Sequence, residues 1–270
     1  MSEKESWKME NWEIKPSEMF DFSGNTAFVA GASGGLGRAI SQGMAEFGAN
    51  IVICYNTDKE GAEAVAEEIK TNTLVQKMDW TKPDEVDSAL KNSLDKFGSI
   101  DYCFNIPGMN IRKPCLELTY DEWEKIMNVN LNGMFRCAKK VGKVMVDQKK
   151  GSMINMSSIF GDIIQAKQVA YASTKGAIRQ MTKVLAAEWA PYVRVNALAP
   201  GYMKTPQVRE VMKDKEWKKS IEKANPFKRF GEVEEIVGPA IFLASKASSL
   251  LTGVFLRVDA GWHWYGGEIP

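Results

Sequence analysis

Thr26-Ala27-Phe28-Val29-Ala30-Gly31-Ala32-Ser33-Gly34-Gly35-Leu36-Gly37 is the stretch that decides how this chain folds. Its first five residues are small, aromatic or β-branched and read as a buried strand. Glycines follow at once, and a helical pattern takes over at 34–47. A strand running into a glycine-rich turn and then a helix is the opening of a βαβ unit. The turn lets the backbone approach a pyrophosphate, and the helix N-terminus offers free N–H groups and the positive end of its dipole.

The same alternation continues outward from that point. Apolar strand-like runs recur at 51–55, 74–78, 102–105, 153–157, 193–198 and 254–258. Helical patterns lie between them at 60–70, 83–97, 120–146, 171–189 and 232–244. Alternating strands and helices predict a parallel sheet of about seven strands, doubly wound, with helices on both faces. The 270 residues contain no internal repeat or linker, so one α/β domain is expected over 22–270, preceded by a polar arm at 1–21 that carries Trp7, Trp12 and Phe20.

Composition excludes several function classes. With 35 basic and 34 acidic residues the net charge is +1, which leaves no footprint for nucleic acid or an acidic membrane. No apolar run is long enough to span a bilayer, and the charged start Met1-Ser2-Glu3-Lys4-Glu5 lacks the apolar core of a secretion signal. The four cysteines (Cys54, Cys103, Cys115, Cys137) form no C-x-x-C pair, which fits a reducing cytoplasm, with Cys54 and Cys103 expected as buried thiols. The single histidine, His263, excludes a multi-histidine metal site and a histidine-based triad in the body of the chain; it is expected to be structural, and no metal is expected.

The chemistry is signalled by Tyr171-Ala-Ser-Thr-Lys175, with Ser158 thirteen positions upstream. On a helix, residues i and i+4 share a face, so the phenol and the ammonium can point into one cleft. A free phenol titrates near pH 10, and a nearby positive charge lowers that value. A tyrosine tuned in this way donates a proton to a ketone or takes one from an alcohol.

The spacing G-x-x-x-G-x-G at Gly31, Gly35 and Gly37, taken with Asn130, Ser158, Tyr171 and Lys175, resembles the short-chain dehydrogenase/reductase family from about Phe22 to Gly261. Further motifs match in order: Asp79 after the third strand, Asn105-Ile-Pro-Gly108, Asn128-Val-Asn130, Asn155-Met-Ser-Ser158, and Pro200-Gly201 followed by Thr205. The resemblance implies a single-domain Rossmann fold and hydride transfer between a nicotinamide cofactor and a secondary alcohol or ketone. It implies Tyr171 as general acid/base, Lys175 as the residue that lowers its pKa and holds the nicotinamide ribose, Ser158 as the polariser of the substrate oxygen, and Asn130 as holder of a relay water. It implies cofactor contacts at Gly31, Ser33, Gly35, Leu36, Gly37, Tyr55, Asn56, Thr57, Asp79 (adenine), Trp80, Asn105, Gly108, Tyr171, Lys175, Pro200, Gly201, Met203 and Thr205. Two positions depart from the family pattern: Ala30 stands where a threonine is usual, and Ile106-Pro107 replaces Asn-Ala or Ala-Ala.

An acid at the end of the second strand normally accepts the ribose 2′-OH of NAD. Here the strand ends Tyr55-Asn56-Thr57, with Lys59 following, so NADP(H) is favoured over NAD(H). The segment 202–230 is expected to close over substrate, with Met203, Val208, Val211, Met212, Trp217 and Phe227 available for an apolar inner face. Met109 to Glu117 is similar to gluconate 5-dehydrogenases and other sugar-acid or polyol reductases, and Arg112 within it is placed to pair with a substrate carboxylate or, equally, to form a subunit salt bridge. Ser158, Tyr171, Arg112, Ile164, Gln165 and Trp217 are the expected substrate contacts. Ile159, Phe160, Ile163 and Ile164 favour instead a larger apolar alcohol such as a hydroxysteroid or bile acid. A cofactor-sensing regulator without chemistry is the alternative of another class. The aromatic end Gly261-Trp262-His263-Trp264-Tyr265 points to subunit contacts or, alternatively, to the border of a neighbour's substrate pocket, and a homo-oligomer, tetramer or dimer, is expected.

Overall fold

The computed structural model describes residues 14–265. Seven strands build one sheet: β1 Thr26–Ala30, β2 Asn50–Tyr55, β3 Thr73–Lys77, β4 Tyr102–Asn105, β5 Gly151–Met156, β6 Val193–Pro200 and β7 Phe255–Val258. Their order is β3-β2-β1-β4-β5-β6-β7, and every pairing is parallel. The helices are α1 Gly35–Glu46, α2 Lys59–Glu68, α3 Pro83–Phe97, α4 Tyr120–Met127, α5 Met134–Asp147, α6 Val169–Trp189, α7 Pro206–Val211, α8 Lys215–Lys223 and α9 Val237–Ala244. This is the doubly wound α/β fold expected.

β1 is buried along its whole length because both of its faces are covered. Its side chains alternate: Ala27 and Val29 enter a core with Ile40, Met44 and Leu243, while Phe28 and Ala30 enter a second core with Val86, Met134 and Ile178. Cys54 and Cys103 are buried, as expected, and Cys137 joins them. Strand order reverses between β1 and β4. That switch point, at the carboxyl ends of the strands, is where an open α/β sheet offers a crevice.

The long helix expected at 120–146 is interrupted. A π-helical turn at Asn128–Gly133 separates α4 from α5, a local widening that recurs at functional sites. The expected helix at 232–244 starts as a 3₁₀ turn, Val233–Ile236, before α9. The segment 202–230 carries α7 and α8, capped by Thr205 and Asp214 respectively. Of the N-terminal arm, 1–13, with Trp7 and Trp12, lies outside the described residues. Its remaining part packs through Phe20 on Phe47, with ring centroids 6.3 Å apart. Among the described residues no helix is long and apolar enough to cross a membrane.

Candidate active site

The glycine turn is shaped for backbone approach. Gly31 and Gly35 take φ of 77° and 53°, in the left-handed region that disfavours other residues. A Cβ on Gly37 would stand 2.0 Å from the Gly31 carbonyl oxygen, so only glycine lets α1 start so close to the turn. No side chain caps the α1 N-terminus, which leaves its first N–H groups for an anion. These features fit a dinucleotide pyrophosphate. Leu36 packs on the first core, and Thr205 borders the turn, its methyl 3.7 Å from a Cβ built on Gly35. Gly201 donates its backbone N–H to Val258 at 2.9 Å, and Met203 is buried at the base of the 202–230 segment.

At the adenine side, Asn56 and Thr57 are exposed beyond half-buried Tyr55. The nearest acid, Asp58, is occupied: its carboxylate caps α2 by accepting from the Gly61 N–H at 2.9 Å. Lys59 pairs with Glu63 at 3.2 Å. Asp79 accepts from the Thr81 N–H at 2.9 Å and hydroxyl at 2.7 Å, a tight turn that orients its carboxylate. The Trp80 side chain does not face this edge. It is buried in the second core, and its indole lies where a Cβ on Gly133 would be, 2.5 Å away.

The four catalytic candidates converge. Ser158, at the end of β5, is buried, and its hydroxyl accepts from the Phe160 N–H at 3.3 Å. The Ser158 hydroxyl lies near enough to the Tyr171 phenol to favour its ionised form. The Lys175 ammonium lies over the Tyr171 ring, 5.5 Å from its centroid, and donates to the Met156 carbonyl at 2.8 Å. Asn130, fully buried in the π turn, holds Met109 at both backbone atoms: its Oδ1 accepts from Met109 N at 2.8 Å and its Nδ2 donates to Met109 O at 2.9 Å. Gly108 is pressed against this cluster; a Cβ there would stand 3.5 Å from Lys175 Nζ and 3.6 Å from Asn130 Oδ1. Asn105 anchors the same segment by donating to Asn155 at 2.9 Å.

One expectation is corrected here. The phenol of Tyr171 is raised, not lowered: burial disfavours the phenolate, and Ser158 and Arg112 offset this only in part. Burial also pushes Lys175 down, to about 8. The ammonium faces the ring and a carbonyl instead of the phenolic oxygen, so its charge does not dominate the tyrosine. A phenol raised above its ordinary range is protonated at neutral pH, the state a proton donor to a ketone requires.

Around this centre the structure assembles a polar and aromatic wall. Arg112 donates to Gln165 at 2.7 Å and to the Tyr202 hydroxyl, which itself donates to Gln165 at 2.8 Å. The guanidinium lies against both Tyr202 and Trp217, 5.7 and 5.5 Å from the ring centroids, which themselves meet edge-on. Both Arg112 and Tyr202 lie close enough to Tyr171 to act on its ionisation. Gln168 joins through Asn110, at 2.8 Å, and through Gln165. Arg112, Gln165 and Trp217 are thus brought together as expected. Ile164 is not: it is 92% exposed, because the irregular chain after Ser158 turns its neighbour Gln165 inward. Val211, expected on an inner face, is also exposed, and Phe227 is 64% exposed although it borders a cavity with Tyr202, Met203 and Trp262.

Comparison with known proteins agrees with this geometry. A family model described as enoyl-(acyl carrier protein) reductase matches residues 31–263. The chain is 33% identical over 249 residues to gluconate 5-dehydrogenase of Gluconobacter oxydans, covering 90% of this chain and 96% of that protein. This protein belongs to the short-chain dehydrogenase/reductase family. Another member, 3-oxoacyl-(acyl-carrier-protein) reductase of Staphylococcus epidermidis, is 34% identical over 242 residues, 88% of this chain and 98% of its own. Among solved members, a gluconate 5-dehydrogenase from Burkholderia cenocepacia in complex with NADP and tartrate superposes with a TM-score of 0.86 at 34% identity, covering 91% and 97% of the two chains. The chain is accordingly an oxidoreductase of the NAD(P)-dependent kind.

Tyr202, Gln168, Asn110 and Trp262 were not singled out as site residues from sequence. Tyr202 carried one usable signal, its place directly after Pro200-Gly201. The others are scattered along the chain and meet only after folding.

Proposed function

We propose that this protein interconverts a secondary alcohol and a ketone on a small polyhydroxylated acid, with NADP(H) preferred over NAD(H). Arg112 carries the substrate reading. Among the described residues it has no carboxylate partner, only the neutral Gln165 and Tyr202, and it faces the side of the site where Tyr171 lies. A guanidinium whose only partners are neutral can still donate a pair of N–H groups to a carboxylate, which accepts them. The names of the Gluconobacter and Burkholderia relatives point the same way. Two side chains that favoured a large apolar alcohol, or an apolar lid for one, Ile164 and Phe227, are 92% and 64% exposed.

Tyr171 donates the proton to the ketone oxygen, or removes it from the alcohol. Ser158 hydrogen-bonds the same oxygen and polarises it. Lys175 and Asn130, bridged by Gly108 and Met109, pass the proton onward towards solvent through water, and Lys175 holds the nicotinamide ribose. A bound nicotinamide supplies or accepts the hydride. The glycine turn, Asp79, Asn105, Gly201 and Thr205 position it, and Arg112, Gln165 and Trp217 orient the substrate under the 202–230 segment. Ser157 stays out of the reaction, its hydroxyl given to the Lys175 carbonyl at 2.9 Å.

Preference for the 2′-phosphate is supported by what is missing: Tyr55 fills the acid position, and Asp58 is tied to its helix. A symmetric homo-oligomer is supported by apolar side chains left on the long helices, Phe135, Val169 and Val184. The deciding experiment is a panel of sugar acids, polyols, ketoses and hydroxysteroids, assayed by nicotinamide absorbance with NADPH or NADP⁺ and with the non-phosphorylated pair. Turnover of sugar acids is expected, with kcat/KM at least about tenfold higher for the phosphorylated cofactor, a gap of about 1.4 kcal/mol. Activity confined to steroids, or equal use of NADH, refutes the corresponding part. Tight NADPH binding with no turnover of any panel member would favour the sensor.

A further inference from the structure

The last described turn of the chain carries two costs that hydride transfer does not explain. Ala260 and Gly261 both adopt positive φ, 55° and 80°, and at Ala260 that conformation is strained. The only histidine is committed to holding the turn closed. Asp259, whose side chain is 5% exposed, accepts from the Gly261 N–H, the His263 N–H and, at 3.0 Å, pairs with His263 Nδ1. The turn is also pinned to the cofactor loop, since a Cβ on Gly201 would stand 3.1 Å from the Asp259 Cα.

What this clasp presents is Trp262. Its ring lies 5.4 Å from Tyr202, tilted by 35°, and 6.4 Å from Phe160, edge-on. Phe160 is the residue whose N–H binds Ser158, and Tyr202 is the phenol that binds Arg112 and Gln165. Trp217 extends the row, 5.2 Å from Tyr202. The rings of Phe160, Trp262, Tyr202 and Trp217 form one continuous wall leading from the polarising hydroxyl to the guanidinium.

We propose that Trp262 is a specificity-determining residue, a wall that the Asp259–His263 clasp holds in place so that the pocket admits a slender polyhydroxylated acid and rejects bulky ring alcohols. The proposal deepens the sugar-acid reading and rests on it. Removing the indole opens room beside Tyr202 and frees Tyr202 to tilt, which weakens the register between Arg112 and the reacting carbon. His263 acts through Trp262, as a positioning residue, and its isostere asparagine keeps a donor at the place of Nδ1.

The test compares wild type, Trp262→Ala, Trp262→Phe, His263→Ala and His263→Asn, each first checked for an unchanged melting temperature and NADPH affinity. The readouts are kcat/KM for a sugar acid and for a bulky cyclic secondary alcohol, together with near-ultraviolet circular dichroism of the aromatic row. Trp262→Ala is expected to shift the ratio of the two kcat/KM values towards the bulky alcohol by about tenfold or more, Trp262→Phe by less. His263→Ala should reproduce part of that shift and of the dichroism change, with recovery in His263→Asn. A ratio that moves less than about threefold in Trp262→Ala, in a protein active on sugar acids, overturns the wall while leaving the sugar-acid reading intact. His263→Ala indistinguishable from wild type overturns the clasp. A wild type inactive on every sugar acid sinks the reading itself, and ready acceptance of the bulky alcohol by wild type sinks the wall with it.

Discussion

The nucleotide end and the substrate end of this site are made of different material. At the nucleotide end the working parts are backbone: the turn at Gly31–Gly37, the open N-terminus of α1, and the Gly108–Met109 segment held by Asn130. At the substrate end they are long side chains from distant places, Arg112, Gln165, Tyr202, Trp217 and Trp262, which hold each other. Backbone sites are restricted by sterics, and a single added methyl breaks them. Side-chain networks tolerate substitution in stability but change what they recognise. One end can therefore stay constant while the other varies, and relatives named for gluconate and for acyl carrier protein match this chain at 33% and 34% identity.

Five experiments break or sharpen that contrast. The largest effect is expected where the two ends meet. Tyr171→Phe removes the proton donor and should lower kcat by about a thousandfold or more, about 4 kcal/mol, while the NADPH dissociation constant stays within about threefold. Steady-state kinetics and fluorescence titration check this, and an active phenylalanine variant would remove Tyr171 from the reaction. Gly37→Ala comes next. Its Cβ would meet the Gly31 oxygen at 2.0 Å, so cofactor affinity should fall about a hundredfold and thermal stability should drop, by about 2–3 kcal/mol. Trp217→Ala, the counterpart at the other end, should leave cofactor affinity unchanged; if both variants lose it alike, the two ends are not separable.

Arg112→Ala should raise KM for a sugar acid by about 10- to 100-fold with little change in kcat, because the carboxylate contact is made equally in ground and transition states. The KM for a neutral polyol should be unaffected, although its oxidation at neutral pH slows as the Tyr171 phenol loses a nearby cation; an equal rise in KM for both would assign Arg112 to structure. A comparable effect is expected in the pH dependence. Alcohol oxidation needs the deprotonated phenol, which burial makes scarce at neutral pH, so its kcat/KM should rise between pH 7 and 9, by up to about tenfold per unit. Lys175, brought down to about 8, loses charge over the same window. Ketone reduction uses the protonated phenol and should show no such rise. A reductive rate that climbs in parallel would count against Tyr171 as the proton donor.

The difference in material also explains what was legible beforehand. Strand and helix positions followed from alternation and glycine placement; α3 and β4 lie where expected, and most other boundaries shifted by only a few residues. Asn130, Ser158, Tyr171 and Lys175 were visible as a spaced set and converge in space. The break at Asn128–Gly133 was not visible, because a π turn is decided by what Asn130 and Gly133 touch, Met109 and Trp80. Ile164 was misplaced because hydrophobicity does not say which side of an irregular segment faces inward.

By itself, then, the amino-acid order determined the parallel α/β architecture, the glycine turn and the set of polar side chains that converge beside it. Those depend on local periodicity and on glycine sterics, which act between near neighbours. Only the tertiary structure decided the ionisation of Tyr171, the direction of Ile164, and the gathering of Arg112, Tyr202, Trp217 and Trp262 into one wall. Burial and side-chain packing are properties of the assembled surroundings, and the residues that create them lie up to 150 positions apart, as Arg112 and Trp262 do.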